Sequence, residues 1–401
     1  MSISSDVSTG TYHSLILKNG KVYSFGDNES GQLGLGDFVN RDEPTLIKGF
    51  NNIVAISAGG FHSLFLTVNG NVYATGSNLF GQLGIENNDD SDHLILLGVS
   101  NIVAISAGEN HSLLLDNQGR VFSFGDNSHG QLGLNDFDDR NVPTLIDNYQ
   151  TSQCIISKNI LVNKISAGGE HSLIITNENK IYSFGYNLYG QLGLGDNINS
   201  PIPQEIPLVF GASISAGGYH SLYININKSV SSFGNNVYGQ LGLGDNNNRN
   251  IPTLIQNYFG VKDIAAGQYH SLLVIDNVYG FGLNVDGQLG TRNNNNVNIP
   301  INVMTTNSKI VNVCAGGAHT ILTRLNSSSH VKITRIINPC VNGYILYRPN
   351  VKVRRNKLEF YSTGNNFYGQ LGLKGSVSCC DSCDSNTFRG NKNVFTKIIK
   401  V

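Results

Sequence analysis

Long apolar runs are missing from this 401-residue chain, and no stretch approaches the roughly 18 apolar residues that a membrane-spanning helix requires. No window carries the apolar period of a long amphipathic helix either, which points away from a helical architecture. The opening residues Met1-Ser2-Ile3-Ser4-Ser5-Asp6 have neither the basic nor the apolar region of a secretory signal. Cysteine is sparse. Six scattered thiols without such a signal are expected of a reduced intracellular protein, not of a disulfide scaffold. No stretch matches Gly-x-x-x-x-Gly-Lys-[Ser/Thr], so no phosphate-cradling loop is expected. The formal net charge of −1 argues neither for nor against a nucleic-acid partner.

What the chain does have is glycine and repetition. Forty-six Gly against nine Pro, with alternating stretches such as Lys21-Val22-Tyr23-Ser24-Phe25, predict many short strands joined by tight turns. Gly-Gln-Leu-Gly occurs seven times, beginning at Gly31, Gly81, Gly130, Gly190, Gly239, Gly287 and Gly369. Five residues before each copy stands Gly26, Gly76, Gly125, Gly185, Gly234, Gly282 or Gly364. Two residues after each of those comes Asn28, Asn78, Asn127, Asn187, Asn236, Asn284 or Asn366. Upstream lies a second block, Ser-Ala-Gly-x-x-His-Ser-Leu in its commonest form, with His13, His62, His111, His171, His220, His270 and His319. These histidines are 49 to 60 residues apart, and 49 is the usual spacing. Five units also place a proline ten residues after Gly-Gln-Leu-Gly: Pro44, Pro143, Pro203, Pro252 and Pro300. A residue that cannot donate to a ladder belongs at a strand start or sheet edge.

Each unit reads as four strands. In unit 2 they are Ile53–Ile56, Ser63–Leu66, Asn71–Ala74 and Leu94–Leu96. Asn19-Gly20 and Asn69-Gly70 are expected to turn tight hairpins between the second and third strands. One such sheet has two apolar faces and is not stable alone; radial stacking buries them. The expectation is therefore an all-β, seven-bladed β-propeller over residues 1–401, with four-stranded blades. Residues 1–8 align with a first strand and Phe395–Ile399 with a fourth, so the terminal strands are expected to be neighbours and to close the ring.

With these residues in view, the sequence resembles the regulator of chromosome condensation repeat family over nearly all its length. The resemblance implies a seven-bladed propeller but no single activity. The family includes a nucleotide exchange factor for a small GTPase, a plant ultraviolet photoreceptor, ubiquitin-ligase accessory domains and scaffolds. Where the family usually carries Trp before the third-strand Gly, this chain has Phe25, Thr75, Phe124, Phe184, Phe233, Phe281 and Thr363. Having no Trp at all, it lacks the tryptophan cluster that serves as the photoreceptor's chromophore. A basic tail before the first blade, as in the chromatin-bound exchange factor, is not expected here, nor is an attached ligase or kinase domain.

The seven histidines and seven asparagines are expected to be structural, because an active site needs one unusual constellation and these recur in every unit. A histidine ring nitrogen bonded to a neighbouring backbone group would serve every interface alike. Asp37, Asp136, Asp196 and Asp245 are expected to make turns. Three irregularities stand out instead. Tyr149–Asn163 adds about eleven residues, read as a mostly polar surface loop. Residues 324–358 form a basic insertion in unit 7, with Arg324, Lys332, Arg335, Arg348, Lys352, Arg354, Arg355 and Lys357 and no acidic residue. Without those eight, 19 basic face 28 acidic residues, a net −9. Together with Tyr344 and Tyr347, these cations are the candidate contacts for a protein partner, a small GTPase among the options; the alternative is a solvated hairpin. The −9 charge weighs against nucleic acid. The third irregularity, residues 373–394, holds Cys379, Cys380 and Cys383, which read as loop thiols more readily than as a three-ligand zinc site.

No metal, cofactor or catalytic constellation is expected, and no membrane attachment. A monomer is favoured over an oligomer. The function read from the sequence is a non-enzymatic, intracellular (nuclear or cytoplasmic) interaction scaffold. Guanine nucleotide exchange on a small GTPase is the alternative, and chromatin or nucleic-acid binding the third reading.

Overall fold

The structure, a computed structural model, describes residues 5–151, 155–156, 160–304, 310–326, 357–373 and 392–398. All regular elements among them are strands, and among the described residues there is no helix long and apolar enough to cross a membrane. The recurring piece is an antiparallel meander of four strands. Unit 1 runs Ser5–Thr9, His13–Lys18, Lys21–Gly26 and Arg41–Leu46, adjacent in that order. Unit 2 repeats it with Ile53–Ala58, His62–Thr67, Val72–Gly76 and Ser91–Leu96. Units 3, 6 and 7 are likewise single four-stranded sheets. Units 4 and 5 are joined through Ser200–Ala216. This strand pairs near its start with Lys180–Gly185 and near its end with His220–Asn225.

The register explains why two distant motifs travel together. The repeat His opens the second strand and lies opposite the Gly that closes the third, as in His13 with Gly26 and His319 with Gly364. The five prolines all fall in fourth strands, at the outer edge of their meander, where no ladder bond is lost. The two Asn-Gly turns differ. Asn19 and Gly20 both have positive φ, 54° and 78°, as a two-residue hairpin demands. At Asn69-Gly70 only the glycine does, because four residues separate Thr67 from Val72.

The core lies between consecutive sheets. Leu64, Val72 and Leu83 pack with Ile102, Leu114 and Phe124 of the next unit. Similar clusters occupy the other junctions, and Val7, Ile16 and Phe25 of unit 1 meet Ile321, Phe360 and Ile398 of unit 7. Fully burying a side chain of this size contributes roughly 1.5–3 kcal/mol, so these shared faces hold the units to one another. In five units the third-strand Phe fills the space against the last Gly of the preceding Gly-Gln-Leu-Gly. A Cβ on Gly193 would stand 2.9 Å from the Phe233 ring. Units 2 and 7 carry Thr75 and Thr363 instead, and there the space is taken by Leu94 and Phe395 from the fourth strand. Those are the proline positions of the other five units. The two departures thus compensate each other at one packing site.

Several expectations are corrected. The first and last described strands do not pair with each other. Ser5–Thr9 pairs with His13–Lys18, and Lys392–Ile398 with Lys357–Gly364, because each unit supplies its own four strands. Units 1 and 7 meet face to face. The segment after Ile146 is not simply a surface loop: Tyr149 is buried, edge-on to Tyr182, and Gln150 pairs with Gln204. In unit 7 the second and third strands extend to Asn326 and Lys357, so the insertion starts further along the hairpin than residue 324. The fourth strand begins at Lys392, inside the range expected for the cysteine-bearing loop.

Candidate protein-docking face

The repeat histidines are buried at the junctions between units. Their Nε2 atoms lie 2.8–2.9 Å from a hydroxyl of the next unit: His13 to Ser63, and so on through His270 to Thr320. His319 makes the same contact with Ser14 of unit 1. The expected backbone partner is reached through a relay, for Ser63 donates to the Gln32 carbonyl and Ser14 to that of Gln370. A serine hydroxyl has one proton, so Nε2–H is the donor and Nδ1 keeps a lone pair, which has no hydrogen-bond partner among the described residues. Burial pushes these histidines down to about 3, or about 4 for His111, and keeps them neutral. The hydroxyls of these pairs are fully buried, and among the described residues no carboxylate bonds the imidazole Nδ1.

A second circuit runs beside the first. Backbone N–H groups following the Ala-Gly donate to the next unit's Gly carbonyl at 2.9–3.3 Å, from Thr11 to Gly59 and onward to Gly317 with Gly10. The approach leaves no room for a side chain. A Cβ on Gly108 would lie 2.5 Å from both the Gly168 carbonyl and the His111 ring. The repeat asparagines hold the loops: Asn28 accepts from the Leu33 N–H and donates to the Asp37 carbonyl, and the other six accept equivalently. Asp37, Asp136 and Asp245 sit in these turns and pair with Arg41, Arg140 and Arg249, whereas Asp196 accepts from Asn187.

What remains is the surface that these loops present. The pair before each Gly-Gln-Leu-Gly is apolar or aromatic in several units: Leu79-Phe80, Leu188-Tyr189, Val237-Tyr238 and Phe367-Tyr368. Leu79, Leu188, Val237, Val285 and Phe367 are 43–68% exposed. Inside this belt stand the residues that precede the repeat histidines. Tyr219 packs on Tyr186, Tyr189 and Tyr269, which in turn meets Tyr238. Tyr12 bridges Phe61 and Tyr368. Exposed apolar groups concentrated in this way mark an interaction surface.

The charge on this rim is acidic. Glu109 lies in the lining of a narrow opening whose walls are mostly Gly and Ala from every unit. Burial first, then the neighbouring Glu170 and Asp126, raise its carboxyl above the usual range. Glu170 is raised chiefly by burial as well, although His129 stands 3.6 Å away. Among the described residues no cation lies within ion-pair distance of Glu109.

Of the cations singled out in the insertion, Arg324 is on a strand, paired with Glu359 at 3.1 Å and stacked over Tyr361. Glu359, the residue just past the acid-free stretch, neutralises it and also takes Lys397. Lys357 lies at the end of the third strand, in register with Asn326. Lys332, Arg335, Tyr344, Tyr347, Arg348, Lys352, Arg354 and Arg355 lie outside the described residues, as do Cys379, Cys380 and Cys383. Asn326 and Lys357, the described residues that flank the insertion, lie at the end of unit 7 opposite Gly364, and so opposite the aromatic rim. The rim itself escaped the sequence reading. Its signal is the contrast between a varying residue and the invariant His beside it.

A repeated all-β meander with these loop motifs defines a propeller-type repeat protein. The RCC1-like domain model matches residues 101–322, and regulator of chromosome condensation (RCC1) repeat models match 5–32, 19–66, 53–82 and 69–115. The chain belongs to the RCC1-like family. It is 29% identical over 218 residues to human Protein RCC2, covering 49% of this chain and 42% of that protein. It is 32% identical over 203 residues to the Arabidopsis thaliana ultraviolet-B receptor UVR8, covering 50% and 45%. Matches to such curated relatives span less than half of their length. Among solved structures, human WBSCR16 superposes with a TM-score of 0.69 at 22% identity, covering 79% of this chain and 85% of that one. Yeast RCC1 (Prp20), solved bound to Kap60, gives 0.68 at 24%, covering 78% of each. At these identities the likeness concerns the fold.

Proposed function

We propose that the seven units form a closed seven-bladed propeller that acts as a non-enzymatic protein-docking platform inside the cell, with the aromatic rim as its main contact face. The carrying observation is the division of labour on the loops. Repeated polar groups are consumed between units, while the residues that differ, from Leu79 and Phe80 to Tyr219 and Tyr269, face outward together. The two bonding circuits, each returning from unit 7 to unit 1, support the closed ring. The basic residues Lys332, Arg335, Arg348, Lys352, Arg354 and Arg355, with Tyr344 and Tyr347, remain the second set of candidate contacts on charge alone.

The reading is tested by capturing partners from the native cell with the intact chain, a Leu188→Asp/Val237→Asp variant and a 326–356 deletion. Partners lost with the double variant place docking on the rim, and partners lost only with the deletion transfer it to the insertion. Retention by both removes these two faces from consideration. Faster nucleotide release from a purified small GTPase would replace the platform reading with exchange-factor activity.

A further inference from the structure

We propose that the mouth of the central opening receives an arginine-bearing segment of the protein partner. This rests on the docking-face reading and adds the chemistry of the occupant. Glu109 follows the Ala-Gly of unit 3, where other units have Thr11, Gly60, Gly169, Gly218, Gln268 and Gly317. It is thus the charged side chain in a lining of small groups contributed by all units. Its backbone N–H is fixed on the Gly168 carbonyl at 3.1 Å, so the residue cannot swing away with a loop. Glu170 and Asp126 add negative potential from the neighbouring unit and from the same one. Asp126 already accepts from the Gln131 amide and Glu170 is near His129, whereas among the described residues the Glu109 carboxylate has neither a side-chain donor nor a cation within bonding distance.

The walls around these carboxylates select the kind of cation. Tyr219 interacts with both Glu109 and Glu170 and lies against Tyr186, Tyr189 and Tyr269. A guanidinium is planar, is weakly hydrated and stacks on aromatic faces while its N–H fork meets a carboxylate in two places. An ammonium makes the charge contact without the fork or the stack. The exposed belt of Leu188 and Val237 then covers apolar surface flanking the inserted side chain. An acidic or phosphorylated segment would meet like charge at this mouth.

The experiment uses the full chain and fluorescein-labelled peptides in which three Arg, three Lys or three Glu alternate with Gly, followed by fluorescence anisotropy over a salt series. The Arg peptide is expected to bind with an affinity that falls with salt, the Lys peptide several-fold more weakly, and the Glu peptide not measurably. Glu109→Gln/Glu170→Gln should weaken the Arg peptide at least tenfold. Asp276→Asn, which removes an exposed carboxylate at the hairpin end, should leave it unchanged. Unaltered thermal unfolding of each variant shows that the fold is intact. Equal binding of Arg and Glu peptides, or undiminished binding by the double Gln variant, overturns the proposal. Captured native partners separate the two readings. Loss with Leu188→Asp/Val237→Asp but not with the Gln variant keeps the docking face and discards the arginine. Retention by both variants discards the face itself.

Discussion

Tyr219 and His220 are neighbours in sequence yet enter opposite surroundings, one at an exposed rim and the other at a buried junction. The histidine enters a buried circuit whose geometry is the same at every junction, while the tyrosine enters a rim that changes from unit to unit. Packing imposes the first rule. Any unit that lost its His–hydroxyl contact would leave a fully desolvated group unpaired, so the position has no freedom. No such penalty acts on the rim, where side chains are half exposed and free to differ. Identical positions therefore report on the junctions between units, and differing ones on the surface those units present.

Acid should break the circuit most severely. A base whose folded pKa lies below its unfolded one stabilises the fold above the unfolded value and loses that contribution as pH falls. For these histidines the window runs from 6.5 down to about 3. Inside it each removes roughly 1.4 kcal/mol per pH unit. Asp263, raised to about 6 by burial, works in the opposite direction, as do the raised carboxyls of Asp6, Asp27, Glu109, Asp139 and Glu170, but the seven histidines outnumber these six groups. Cooperative unfolding before pH ~4, followed by circular dichroism, is the expected result. A fold that survives to pH 3 would contradict the buried neutral circuit.

Next comes Gly108→Ala, which places a methyl group against the Gly168 carbonyl and the His111 ring. It should cost ~3 kcal/mol in denaturant titration. His220→Ala should cost ~2–4 kcal/mol by opening a cavity and removing the donor to the Ser271 hydroxyl, which keeps its own bond to the Gln240 carbonyl, and should make the acid transition shallower by one proton. A smaller loss of ~1–3 kcal/mol is expected for Thr75→Phe, whose ring would meet Leu94. Adding Leu94→Pro, the pairing used in five other units, should recover most of it. Failure of that rescue would show that the two sites are not coupled. On the rim, Glu109→Gln should leave the melting temperature unchanged or slightly higher, since it removes a carboxylate that burial and like charge disfavour.

Much of the architecture was legible in the chain itself. The seven-fold recurrence of His, Asn and Gly-Gln-Leu-Gly located the strands and hairpins, because backbone register ties each His to a third-strand Gly. The rim was harder to read. Its members are unremarkable one at a time, and Tyr186, Tyr219 and Tyr269 come together only when different units are brought side by side. Attention went to the basic insertion because a run of like charge is a local signal. Even there, the pairing of Arg324 with Glu359 across 35 positions of sequence depended on strand register.

The sequence by itself determined the all-β class, the four-strand unit and the residues that every junction shares, since those follow from local period and strict repetition. Tertiary structure decided which nitrogen of each histidine bonds which hydroxyl, why Thr75 and Leu94 change together, and which end of the sheets gathers tyrosines around the Glu109 carboxylate. These depend on distances between residues some fifty positions apart, and only packing one unit against the next brings such residues into contact.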